Sequence, residues 1–372
     1  MQNKEFVVSN VVDYIKIVQG IIDSERNKDI GQKKDEFYEK INNFNRKRAI
    51  LSNEKEFEER KSLTEQLKIE LEEIIKGLHE FYEPNMQLLP LFFRLINKNK
   101  SITKPKDNEY DFFYRGVYNG ADFKLLPSCF RKDNYGKEDK FYHYIRSRCP
   151  AEFQNRNHLD TLVTLQHYDC PTRLLDITYN PLVALFFACK NYKCSKCQNS
   201  EYGYVYVFMN NKEKLLFKDS DRAIILSCLA RLTQEEKDKI YNDCIDNIIK
   251  HGLSVTFDSK KTTREIEKLY HEIAREVEFE KRILARDLLT NFFVQPDNSN
   301  RRIDKQNGAF IISGLAKDVK QIEGKINYNV ICKIRINNQK EILKELDMLN
   351  INEASLFPEL DKVSRYYVSK IR

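Results

Sequence analysis

The chemistry-bearing residues of this chain concentrate in one stretch, Thr161 to Cys189 (TLVTLQHYDCPTRLLDITYNPLVALFFAC). Gln166, His167, Arg173, Asp176, Thr178 and Asn180 stand there among apolar neighbours. A guanidinium and a carboxylate three residues apart in such a segment are expected to be buried together, because either charge buried alone is costly. His167 has two readings, a general acid–base or a satisfied core histidine. Thr178 and Asn180 follow the apolar run RLLDIT, and Asn180-Pro181 suits a helix start with proline in the first turn. The N-terminus of that helix would face the strand end, ready to hold an anion.

Further candidates lie outside this stretch. Tyr114 and Arg115 end the run DFFYR, and Gly116 follows. An arginine there, beside a glycine that admits close backbone approach, suits a phosphate or carboxylate ligand. The alternative is a structural pairing with a buried acid, Asp176 first of all. Gln306 precedes the run GAFII, where its amide either orients a ribose hydroxyl or caps the strand. Cys129 and Cys170 have no base placed beside them, which argues against a thiol nucleophile. No phosphate-binding glycine loop, dinucleotide fingerprint or serine elbow is present, and His271-Glu272 lacks a second histidine because Arg275 stands where it is needed. No metal is expected. Cys194 and Cys197 form a Cys-x-x-Cys without a second half, which reads as a reduced, lysine-rich hairpin loop, with zinc as the alternative.

These residues need a scaffold. Residues 1–100 read as a helical N-terminal region, with a charge-alternating segment over 53–82 that either packs as a hairpin on the main domain or binds a partner or a second copy. The polar break SITKPKDN, residues 101–108, is the expected boundary to a domain over 108–372. Strands are expected at DFFYR, RLLDIT, 204–209, 308–313 and 328–336. A helical block over about 221–290 reads as an insertion or lid. It has a capping box at Thr233 and Glu236 and a helix end at Gly252, and its second helix is expected to run as far as Pro296. The fold class is α+β, with flanking helices.

With 63 basic and 56 acidic residues the net charge is +7, which permits an anionic partner without requiring one. There is no apolar run of about 18 residues and no basic-then-apolar leader. A cytoplasmic protein without a membrane partner is therefore expected.

The segment LQHYDCPTRLLDITYNPLVALFFA resembles the core motif of FRG-domain proteins, and Tyr114-Arg115-Gly116 stands at the place of the family's signature. RRIDKQNGAFIISG (301–314) and EILKELDMLNINEASLFPEL (341–360) fit the family in the same order. The order of pieces is also similar to that of ADP-ribosyltransferases. That likeness implies a split, mixed or antiparallel β-sheet core and a pocket for NAD as substrate. Arg115 would hold the pyrophosphate, Thr178 would take the serine position, and Gln306 would stand near the catalytic glutamate. Tyr114, Gly116, Arg173, Asp176 and Asn180 would help bind the nucleotide, and His167 would assist catalysis. Glutamine cannot supply the glutamate's charge, and Glu276, Glu278 or Glu280 would have to substitute. The resemblance implies a bacterial conflict system, with the chain acting as a toxin or antiphage effector on a protein or nucleic-acid acceptor. The rival readings are a sensor or scaffold that assembles through its N-terminal helices, and a nucleic-acid-binding or cleaving protein.

Overall fold

Runs of β-branched and aromatic residues supply the strands, and helices with one apolar stripe cover both faces of the sheet they form. The computed structural model describes residues 5–26, 30–53, 57–81, 110–118, 124–190, 202–257, 262–297 and 301–371. The strands are β1 (Glu5–Val8), β2 (Tyr110–Val117), β3 (Leu174–Thr178), β4 (Gly203–Asn211), β5 (Leu216–Phe217), β6 (Thr256–Phe257), β7 (Ile283–Leu284), β8 (Phe292–Gln295), β9 (Gly308–Ile312) and β10 (Val330–Ile336). The early helices are α1 (Val11–Arg26), α2 (Ile30–Asn53), α3 (Phe57–Phe81), α4 (Glu138–Arg148), α5 (His158–His167) and α6 (Pro181–Cys189). The middle block holds α7 (Asp221–Cys228), α8 (Gln234–His251), α9 (Arg264–Ala274) and α10 (Ala285–Leu288). After it come α11 (Arg301–Lys305), α12 (Val319–Tyr328), α13 (Gln339–Met348), α14 (Glu353–Leu356) and α15 (Leu360–Ile371).

Eight strands form one mixed sheet in the order β1-β10-β4-β2-β3-β9-β8-β5. The outermost pairs, β1 with β10 and β5 with β8, are parallel, and the inner ones are antiparallel. The sheet is nearly divided in its middle, since β2 and β3 meet at a single residue pair, Tyr114 with Thr178. Continuing that register would set Gly116 against Asp176, but there the strands have parted. A mixed, split sheet with flanking helices is what the chain forms.

Two features depart from the sequence-based expectations. The N-terminal region is not purely helical: Glu5–Val8 joins the sheet as an edge strand, too short a run to stand out in sequence. FFVQ, expected as the end of a helix reaching Pro296, is strand β8 paired with β9; the helix stops at Ala274, and the β-prone run Phe292-Phe293-Val294 is drawn into the sheet. Among its described residues, the middle block lines none of the cavity described below. Ile225, Ile240, Ile248 and Leu269 from this block share a core with Ile41, Phe44, Leu67 and Leu71 of α2 and α3. The buried residues of that N-terminal hairpin thus pack within the chain, while Ile50 and Ile69 stay exposed. The capping box at Thr233 and Glu236 and the end at Gly252 (φ 90°) form as expected. The 101–108 boundary and the Cys194/Cys197 pair lie outside the described residues. Among the described residues, no helix is long and apolar enough to cross a membrane.

Candidate active site

The helix–turn–strand–helix read in the motif folds as α5, β3 and α6. Asn157 caps α5 through the Asp160 N–H, and Asp169, in the left-handed conformation (φ 59°), turns the chain out of it. Gln166 ties the turn together, accepting from the Thr172 hydroxyl and donating to the Leu174 carbonyl at 3.3 Å. Asn180 caps α6 by accepting from the Leu182 N–H at 2.9 Å, with Pro181 in the first turn. Its amide is therefore engaged by its own helix.

Helix α6 lies directly on β2 and β4. A Cβ at Gly116 would run into the carbonyl oxygen of Ala184 and stand 2.7 Å from Ala188 N, and a Cβ at Gly203 would meet the carbonyl of Ala188. The glycine of the Tyr-Arg-Gly motif thus admits a helix, where the sequence suggested a ligand.

Beyond the Tyr114–Thr178 pair the parted strands open a cavity of about 210 Å³. Tyr114, Arg115, Gly116, His167, Asp176, Thr178 and Gln306 all line it, brought together from four separate segments. Arg115 Nη1 donates to the backbone carbonyl of Asp176 and lies 3.4 Å from its Oδ2, so the guanidinium takes the place of the missing ladder bond. Arg115 thus meets Asp176, the acid first expected of it, at an exposed carboxylate and not at a buried one. The pairing expected between Arg173 and Asp176 is not formed. The Asp176 side chain is 59% exposed, whereas Arg173 is buried away from the cavity against Glu138. The alternation of a strand explains the separation, since residues an odd number apart point to opposite faces.

Thr178 is also engaged: its hydroxyl donates to the Gln306 carbonyl at 2.6 Å and accepts from the Asn180 N–H at 3.0 Å. Thr178→Val is expected to lower stability by about 1–2 kcal/mol, the cost of orphaning those two groups. Chemical denaturation would measure it, and an unchanged midpoint would contradict the bracing role.

Several cavity residues went unremarked in the sequence. Arg302 reaches in from α11 and Asp169 from the turn, with Phe187 and Phe310 supplying apolar walls. The segment after α13 braces these residues from behind. Gln306 Nε2 donates to the Leu356 carbonyl at 3.1 Å, and the Arg302 guanidinium stacks 4.7 Å from the centre of the Phe357 ring. Glu359 Oε1 lies 3.4 Å from His167 Nε2. Burial, and then the positive charge of Arg302, lower the His167 pKa, with Glu359 opposing them. Arg302 and Glu359 both fall in segments that carry the family resemblance, which was the available signal. Glu276, Glu278 and Glu280 do not line the cavity, whose carboxylates are Asp169 and Asp176. Burial pushes the Cys170 thiol up to about 11 and raises that of Cys129 well above its ordinary value, so neither is poised as a nucleophile.

Residues 110–197 match the family model of the FRG domain. The chain carries an FRG domain. No curated protein and no solved structure matches it. The FRG segment supplies β2, β3, α5 and α6, hence Arg115, His167, Asp176 and Thr178. Arg302 and Gln306 complete the cavity from beyond that segment, and Glu359 backs His167.

Proposed function

We propose that the cavity binds an NAD-like nucleotide and that the protein cleaves its nicotinamide–ribose bond, transferring ADP-ribose to an acceptor or to water. The observation that carries this reading is the parting of β2 from β3. It gathers Arg115, Thr178 and Gln306, residues of three distant segments, around one cavity. Arg115 and Arg302 supply positive charge suited to a pyrophosphate. Asp176 and Asp169 supply the negative charge that an oxocarbenium-like transition state needs and Gln306 lacks. His167, backed by Glu359, is positioned to orient the acceptor. A cavity of about 210 Å³ suits the nicotinamide–ribose half, with the remaining half lying at its mouth. In this reading the protein is an effector in bacterial conflict or antiphage defence, with a protein or nucleic-acid acceptor.

The test is transfer of label from adenylate-labelled NAD into a bacterial lysate, with free nicotinamide quantified in the same tube. Arg115→Ala is expected to cut both signals about 100-fold or more, while lowering stability by less than about 2 kcal/mol. Should Arg115→Ala unfold the protein, Arg302→Ala serves the same comparison. Nicotinamide released without transferred label identifies a hydrolase. Neither product from the wild-type protein, or undiminished product from both variants, overturns the proposal.

A further inference from the structure

A second cluster of reactive side chains lies away from the cavity, where α4, α5, α7 and the turn after α9 converge. His158, Cys228 and Glu276 each place one potential ligand atom there, and these atoms lie within 4.8 Å of one another. All three are enclosed: the His158 and Glu276 side chains are 5% and 9% exposed, and Cys228 is fully buried. Each of the two polar side chains is held by one atom and leaves another unsatisfied. His158 Nδ1 is hydrogen-bonded with the Tyr142 hydroxyl at 2.7 Å and lies 3.1 Å from Glu276 Oε1, while its Nε2 is buried without a partner. Glu276 Oε1 accepts from the His158 backbone N–H, while its Oε2 is buried without a partner. A buried polar atom left unsatisfied is destabilising, so two such atoms in one enclosed cluster ask for a ligand.

The geometry points to a buried divalent-cation site of the zinc type, formed by His158, Cys228 and Glu276. An imidazole nitrogen, a thiolate and a carboxylate oxygen are the donors zinc takes, at about 2.0–2.3 Å. Ligand atoms around a tetrahedral zinc stand roughly 3.3–3.8 Å apart, so small side-chain rotations close the cluster onto an ion. The thiolate and carboxylate together carry two negative charges, which balance a divalent ion and leave no net charge in the core. Arg231 borders the cluster, and its charge is already met by Glu272. Tyr142 holds the imidazole in place, as outer partners of metal-bound histidines do. Three protein ligands leave the fourth position to a water.

Such an ion would fasten the middle helical block to the first residue of α5. That helix carries Gln166 and His167 to the cavity at its other end. The site would therefore fix the position of the cavity wall without contacting the cavity's ligand, and it stands independently of the function proposed above.

The test uses the full chain, purified without a metal-affinity tag, dialysed against zinc and analysed by elemental mass spectrometry. About one equivalent of zinc per chain is expected. Cobalt(II) in its place should show tetrahedral ligand-field bands and a thiolate-to-cobalt charge-transfer band. Cys228→Ser should lose the charge-transfer band, and Cys194→Ser/Cys197→Ser should keep both the metal and the band. The double variant keeps the test decisive even where Cys228→Ser fails to fold. Less than about one tenth of an equivalent in the wild-type protein overturns the inference. So does loss of the metal from the folded double variant, or a cobalt spectrum unchanged in Cys228→Ser.

Discussion

Arg173→Ala is expected to cost about 3–5 kcal/mol of stability, the range for breaking a buried ion pair from one side. Arg173 is fully buried; its Nε and Nη2 donate to Glu138 Oε1 and Oε2 at 2.9 and 2.6 Å, and Nη1 donates to the Ser313 carbonyl at 2.9 Å. Lys237 donates to the same Glu138 at 2.7 Å. These contacts lock α4, β3, α8 and the end of β9 together behind the cavity. Arg173→Lys should fall between, because an ammonium keeps the charge and loses the two-pronged contact. Asp176→Asn should change stability by less than about 1 kcal/mol, as exposed pairs do. Equilibrium denaturation of the three variants tests this, and equal losses for Arg173→Ala and Asp176→Asn would reject the assignment.

The same triad sets an acid dependence. Burial alone would raise the Glu138 carboxyl, but the charges of Arg173 and Lys237 and their hydrogen bonds hold it down to about 2, from an ordinary value of 4.5. Between those values the unfolded chain binds a proton that the folded chain does not. The stabilisation is thus complete above pH 4.5 and drains away as pH falls toward 2. Glu138→Gln should flatten that part of the stability profile, besides lowering it throughout.

How much of this was legible in the sequence varied with the range of the interactions. The local devices could be read from neighbouring residues: the Asn180-Pro181 helix start, the Thr233–Glu236 capping box and the stop at Gly252. The split sheet followed from the resemblance of FYRG, LLDIT and QNGAF to known pieces. Partnerships across the fold left no such trace. Glu138 precedes Arg173 by 35 residues and Lys237 follows Glu138 by 99, so nothing local marks them as a triad, and by spacing alone Asp176 is the nearer partner. The two-residue strands and the four-residue β1 are too short for a periodic signal. FFVQ continued an apolar run that began in a helix, and only its pairing with β9 decides its state. Glu359 meets His167 through a return of the chain that residue spacing does not encode.

Gly116→Ala is the sharpest test of how the motif builds the cavity. The added methyl would overlap the carbonyl oxygen of Ala184 and stand 2.7 Å from both Ala184 C and Ala188 N. All three are helix backbone atoms, so no side-chain rotation relieves the clash, and α6 must move bodily away from β2. Overpacking against side chains typically costs about 1–3 kcal/mol, and a clash with rigid backbone is expected to exceed it. The shift would also disturb Val183, Ala184 and Ala188, which are buried in the core beneath the sheet. Arg115 is the next residue along the strand, so its grip on Asp176 should loosen with the helix. Gly203→Ala, on the neighbouring strand β4, should behave alike, since its methyl meets the Ala188 carbonyl of the same helix. Gly20 is the contrasting case. It lies within α1 with nothing within 4 Å of an added Cβ, so Gly20→Ala should stabilise by about 0.5–1 kcal/mol through helix propensity alone. Thermal melts of the three variants separate the two causes. A Gly116→Ala protein that melts with the wild type would mean that α6 does not rest on β2 as described, and the cavity wall that depends on it would have to be redrawn.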